Sequence, residues 1–190
     1  TNSISHNIRK AINTPDGFQS CAIVGSAGFL RKERLGGEID AHEFVMRINL
    51  SPVSGYEDIV GKKTSIRVMN KETIGTYLHE RVCNESFNST IDCPKYPIFL
   101  NSNEQCHNDM IRKKCPNTIF LTRTILGLFS SWDPILHALW PGYGFALMSG
   151  QWGLALASHL CPNGIDLYGF THTETVSLDI NYTYHYYDNH

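Results

Sequence analysis

The feature that most restricts what this chain can fold into is a succession of six short apolar runs, each too brief for a buried helix. CAIVG (21–25), FVMRI (44–48), SIRVM (65–69), PIFL (97–100), TIFL (118–121) and IDLYGF (165–170) are predicted strands. Between them lie segments with the length of helices. These are residues 71–81, a polar surface stretch at 102–114, and an apolar stretch at 125–140 interrupted at Asp133-Pro134, where the ring removes a helix donor. Gln151 to Leu160 (QWGLALASHL) is a further buried helix. Strands alternating with helices specify an α/β layer fold with a largely parallel sheet. Residues 1–20 read as an irregular lead-in that ends on the turn chemistry of Thr14-Pro15-Asp16-Gly17, and 83–96 as an exposed loop.

The 190 residues, 42% of them hydrophobic, suffice for one core, and no repeat or linker divides them, so a single domain over 1–190 is expected. A formal charge of -2 and short, mixed basic stretches (Arg31-Lys32 with Arg34, and Arg112-Lys113-Lys114) exclude a nucleic-acid partner. No run of about 18 apolar residues could span a bilayer, and the opening TNSISHNIRK is polar. Any membrane anchor is therefore expected outside this chain. Six cysteines (Cys21, Cys83, Cys93, Cys106, Cys115, Cys161) lack the paired spacing of a metal site and allow fifteen full pairings. Sequons begin at Asn49, Asn84, Asn88 and Asn181. Together these favour an oxidising secretory compartment over free thiols in a cytosolic enzyme.

Several loops can carry chemistry. A strand followed by Gly25-Ser26-Ala27-Gly28 and a helix is the arrangement in which backbone N–H groups cradle a phosphate, although G-x-x-G also occurs as a plain turn. Ligands of open α/β sheets gather beyond the carboxyl ends of the strands. Ser26, Asn49 and Gly169 follow three such ends and can converge on one crevice. Asn49 suits base or ribose recognition, although on pattern alone a strand-ending Asn is more often an Asx-turn. Ser149 can cap the helix from Gln151, whose free N–H groups would face an anion. His185, set among aromatics in His185-Tyr186-Tyr187-Asp188, is a candidate acid, base or phosphate partner. No D-x-D pair is present to grip a metal–nucleotide diphosphate.

These pieces, in this order, resemble the eukaryotic sialyltransferases, glycosyltransferase family 29. Residues 21–68, with Cys-x-x-Val-Gly, Gly-x-x-Ile-Asp, Phe-Val-Met-Arg-x-Asn and Asp-x-Val-Gly-Lys-Lys-Thr, resemble the family's long motif. LMSGQWGLALASHLCPNGIDLYGF (147–170) resembles the short motif and HYYD (185–188) the third. The resemblance implies a single Rossmann-like, GT-A-variant fold with a mostly parallel central sheet flanked by helices. It implies an inverting, metal-independent transfer of sialic acid from CMP-sialic acid to a glycan hydroxyl, with no cofactor. The acceptor would be a glycoprotein or glycolipid and the location the Golgi lumen, in a type II membrane protein.

By the same resemblance Ser26, Asn49, Ser149, Gly150, Gly169 and Thr171 would contact the sugar donor, and His185 would sit by its phosphate. Cys21 and Cys161 would be joined, closing a loop of about 140 residues worth roughly 4–5 kcal/mol. Cys83, Cys93, Cys106 and Cys115 would staple local loops. HYYD followed by Asn resembles members forming α2,8 and some α2,3 linkages. Three departures stand out: Ser26-Ala27 for Asn-Ser, Met148-Ser149 for Ser-Thr, and one extra residue between Cys161 and the last strand. The family's base is a His in a fourth motif beyond His190, so this chain reads as a fragment without its proton acceptor. A degenerate relative that binds a glycan or partner without turnover is the rival reading, and another nucleotide-binding α/β enzyme a third.

Overall fold

The computed structural model describes residues 2–69, 98–100, 119–121, 149–170 and 182–188. Within them α1 is Asn2–Ala11, β1 Cys21–Val24, a 3-10 helix Gly28–Lys32, α2 Gly36–Ala41, β2 Phe44–Ile48, α3 Glu57–Val60 and β3 Ile66–Met69. Then come β4 Ile98–Leu100, β5 Ile119–Leu121, α4 Ser149–Leu160 and β6 Asp166–Tyr168. All six predicted strands are present. The helices expected at 71–81, 102–114 and 125–140, the loop 83–96, Thr171, and Cys83, Cys93, Cys106 and Cys115 lie outside the described residues.

The strands form one sheet in the order β5-β4-β3-β2-β1-β6, and every neighbouring pair is parallel. β1 and β2 are buried along their whole length, so their apolar runs are continuous rather than alternating. Successive residues still go to opposite faces. Cys21, Ile23, Phe44, Met46, Ile48, Ile66 and Val68 pack beneath α1 and α4, with Ile8, Ile12, Leu156 and Leu160. Ala22, Val24 and Val45 pack on the other face with Leu30, Ile39, Val60 and Tyr186.

The first residues depart from expectation. Asn2–Ala11 is a helix, not an irregular lead-in, because Ile8 and Ile12, one helical turn apart, both reach the core and repay the cost of ordering the segment. Arg9 Nε donates to the His159 carbonyl (2.7 Å), and Ser5 Oγ lies 2.7 Å from His159 Nδ1, tying α1 to α4.

α4 runs against the strands. Its last turn is joined to the start of β1 by the Cys21–Cys161 disulfide, whose partners are 140 residues apart in sequence. Its middle passes over the end of β2, where a Cβ on Gly153 would come within 2.6 Å of Ile48 Cδ1. Its first turn reaches the second residue past β6, with Phe170 Cε1 2.8 Å from a Cβ built on Gly150. The start of α4 therefore lies at the carboxyl edge of the sheet. Ser149 is the first residue of this helix rather than a cap preceding it.

His159 is buried, and its Nε2 has no hydrogen-bond partner. Burial, with the positive charge of Arg9, holds its pKa below the ordinary imidazole value. The unfolded chain therefore takes up this proton first on acidification. The stabilising contribution is complete above about pH 6.5 and is lost as pH falls below it toward the folded value. The urea midpoint should fall between pH 7 and pH 5, and His159→Gln should flatten that slope.

Candidate functional site

The sheet order reverses at β1: β2 and β3 extend to one side of it, and β6 returns on the other. Loops leaving such a pair diverge and open a crevice at their carboxyl ends. Ser26 lies just past β1, Gly169 just past β6, Asn49 just past β2, and Ser149-Gly150 at the start of α4. The structure brings these positions to one edge. The segment 182–188 joins them through an antiparallel bridge between Ala27 and His185.

In the turn after β1 the N–H groups of Gly25, Ala27 and Gly28 are bonded within the protein. The Gly25 N–H donates to Tyr168 O (2.8 Å), that of Ala27 to Gly169 O (3.3 Å), and that of Gly28 to Tyr184 O (3.1 Å). The next element in the chain is a single 3-10 turn, not an α-helix with a dipole. The glycines serve close backbone approach instead. A Cβ on Gly28 would overlap the Thr183 carbonyl, and Gly169 takes φ 71°, a left-handed conformation open to glycine at little cost.

Asn49 is also left-handed, at φ 55°, a conformation that asparagine tolerates better than most residues. Its N–H donates to Val68 O (2.7 Å). Its carbonyl accepts from Arg67 Nη1 (2.5 Å), which also donates to Ser51 O (3.1 Å). Ser51 is buried with its hydroxyl on Ile48 O (3.3 Å), so the Asn49 sequon is folded into a turn rather than displayed. The sign of an oxidising compartment rests more firmly on the Cys21–Cys161 bridge.

Arg47 and Arg67 were read in the sequence only as strand residues, yet both are buried. Arg47 donates to Val60 O, Gly61 O, Lys63 O and Thr64 Oγ1 at 2.8–3.2 Å, holding the loop ahead of β3. Burial, reinforced by Arg67, lowers its pKa to about 10, so it remains charged at neutral pH. Asp40 fixes the same loop by accepting from the N–H groups of Lys62 and Lys63. The available signal was a charged residue inside an otherwise apolar strand, which must find partners.

His185 is half-buried, and its ring stacks on Tyr187 at 4.7 Å and meets Tyr184 edge-on at 4.5 Å. Its backbone N–H donates to Asp188 Oδ2 (2.8 Å), and its Nδ1 lies 3.2 Å from both Asp188 oxygens. The His185 N–H is the main cause of a lowered Asp188 pKa, so that side chain is a carboxylate. Next to it Tyr186 is fully buried, with its hydroxyl donating to Pro52 O. Burial raises its phenol pKa against the pull of Arg47 and Arg67, keeping the hydroxyl a donor. Among the described residues no group of three or more His, Cys, Asp or Glu is placed to hold a metal ion.

A parallel sheet with glycine turns, an asparagine and a helix start gathered at its reversal point defines the open α/β class, whose ligands bind beyond the carboxyl ends of the strands. A family model described as glycosyltransferase family 29 (sialyltransferase) matches residues 2–98, just over half of the chain, and the chain belongs to that family. It is 34% identical over 129 residues to beta-galactoside alpha-2,6-sialyltransferase 2 of Gallus gallus, covering 63% of this chain and 24% of that protein. It is 30% identical over 191 residues to beta-galactoside alpha-2,6-sialyltransferase 1 of Homo sapiens, covering 93% of this chain and 46% of that one. The chain thus spans less than half the length of these relatives. Their names carry a 2,6 linkage, to which the HYYD-Asn pattern had not pointed. A crystal structure of a mammalian sialyltransferase shares the fold, with a TM-score of 0.62 and 20% identity over 100% of this chain and 69% of that one.

This geometry has two measurable outcomes. Gly28→Ala should push the 182–188 segment off the β1 turn and cost about 1–3 kcal/mol, read by urea unfolding. Asn49→Gly should leave stability within about 0.5 kcal/mol, whereas Asn49→Ala, forced into the left-handed region, should lose about 1–2 kcal/mol.

Proposed function

We propose that the complete protein transfers sialic acid from CMP-sialic acid to a hydroxyl of a glycoprotein or glycolipid glycan, in the Golgi lumen. The observation that carries this reading is the meeting of Ser26, Asn49, Ser149-Gly150, Gly169 and His185 at one sheet edge in a member of family 29. Names of the relatives favour a β-galactoside acceptor and a 2,6 linkage.

In this reading Asn49 and Ser26 hold the nucleoside with Gly169 beneath it. The start of α4 at Ser149-Gly150 directs N–H groups toward the cytidine monophosphate. His185, engaged by Asp188 at Nδ1, offers its other nitrogen to the phosphate as charge builds on the leaving group. The acceptor oxygen displaces CMP at the anomeric carbon with inversion, and its proton goes to a base that we do not place among the described residues. The absence of a D-x-D pair from the sequence favours a metal-independent transfer. The single-residue departures at Ser26 and Met148 favour, as the second reading, a relative that binds its ligand without turnover.

Isothermal titration of the full chain should show CMP binding more tightly than AMP, with Asn49→Gly weakening CMP about tenfold, the effect of a lost hydrogen-bonding side chain. A folded sample that ignores CMP would remove the donor-site reading. Transfer from CMP-sialic acid to a β-galactoside by the protein extended to its relatives' full length, undiminished by EDTA, separates the enzyme from the non-catalytic binder.

A further inference from the structure

Tyr186 is bonded to both of the turns assigned to the nucleoside, through its backbone on one side and its side chain on the other. The backbone N–H of Tyr186 donates to Ser26 O (3.0 Å), and its hydroxyl donates to Pro52 O in the turn that begins at Asn49. We propose that Tyr186 is a positioning residue that sets the spacing between the Ser26 and Asn49 turns, and with it the fit of the nucleotide. The proposal rests on the donor-site reading above and adds to it a residue that touches no ligand.

The sheet alone does not set this spacing. Parallel pairing of β1 with β2 runs from Cys21–Phe44 to Val24–Arg47, and both turns lie beyond that ladder. Past the strand ends each turn is anchored separately. The 49–51 stretch is clasped from β3, with Arg67 Nη1 on the carbonyls of Asn49 and Ser51 and the Asn49 N–H on Val68 O. The Ser26 side is anchored to β6 and to the third segment, through Gly25 on Tyr168 O, Ala27 on Gly169 O and Gly28 on Tyr184 O. Tyr186 connects the two anchored bodies.

It is suited to act as a strut rather than a loose tether. Its ring is fully buried and meets Tyr56 and Tyr187 edge-on, each at 5.1 Å. A ring so enclosed has few rotamers to move through, so a shift at Pro52 is felt at Ser26. A ring that only filled space would need no hydroxyl. This one is aimed at a backbone carbonyl, and removing it would leave that carbonyl without its side-chain donor. Because Arg67 holds Asn49 and Ser51 together, freedom gained at Pro52 reaches the Asn49 side chain through one peptide stretch.

The test is a double-mutant cycle on the full chain, read by CMP titration. Tyr186→Phe keeps the ring and the backbone bond and should raise the CMP Kd about 5- to 20-fold. In an Asn49→Gly background, which keeps the left-handed turn, the same change should alter the Kd by less than about twofold, because the path to the ligand through Asn49 is gone. A merely structural tyrosine would lower the urea midpoint in both backgrounds and leave the CMP affinity of the folded protein unchanged, which would overturn the proposal. So would an equal loss of affinity in both backgrounds. Should Tyr186→Phe fail to fold, the unmodified chain decides the matter: CMP must slow hydrogen exchange at the Tyr186 amide, and an unchanged rate overturns the proposal. If the unmodified chain binds no CMP, the donor-site reading itself has failed, a result visible before any variant is made.

Discussion

Strand β1 is buried on both faces and bonded along both edges, to β2 on one side and β6 on the other. Its four residues fix the place of nearly everything at the carboxyl edge. The turn beyond it continues the β6 ladder through Gly25 and Ala27, receives the third segment at Ala27 and Gly28, and gives its Ser26 carbonyl to Tyr186. Its first residue is held covalently to the far end of α4. Because α4 runs against the strands, that bond at one edge helps set where the helix starts at the other. A displacement of β1 would therefore be shared by every segment that forms the crevice.

The two faces of the sheet do different work. The face under α1 and α4 is apolar and supplies burial. The opposite face carries Arg47, Arg67 and Tyr186, whose polar ends are spent on backbone carbonyls of the loops around β2 and β3. Charges in such a setting are costly unless fully partnered, and here they hold irregular backbone in conformations that apolar packing alone would not select. Asn49, at positive φ, is the residue so held at the mouth.

The strands were legible because short apolar runs closing on turns have few alternatives, and the sheet followed from their alternation with helices. The carboxyl-edge convergence was legible for the same reason, since ligand loops of parallel sheets share an end. Other features depended on partners remote in sequence. The N–H groups of the Gly25–Gly28 turn looked free because their acceptors, Tyr168, Gly169 and Tyr184, lie more than a hundred residues later. The first helix was missed although Ile4, Ile8 and Ile12 stand at helical spacing in the sequence, because its polar composition outweighed that three-residue stripe. Tyr186 was read as an aromatic neighbour of His185. Nothing local indicates that its hydroxyl would reach Pro52.

The position of β6 has a consequence for how the chain is made. A ribosome delivers the outer neighbour of β1 only some 140 residues after β1 itself, the same separation that the Cys21–Cys161 bridge spans. Until then one side of CAIV is an unpaired, strongly apolar template open to any passing strand. Pairing across so long an interval is slow, and a nascent chain in that state is prone to association with other chains. Vectorial synthesis thus closes the β6 side of β1 late, and until then the Cys21–Val24 edge stays open to pairing with another chain.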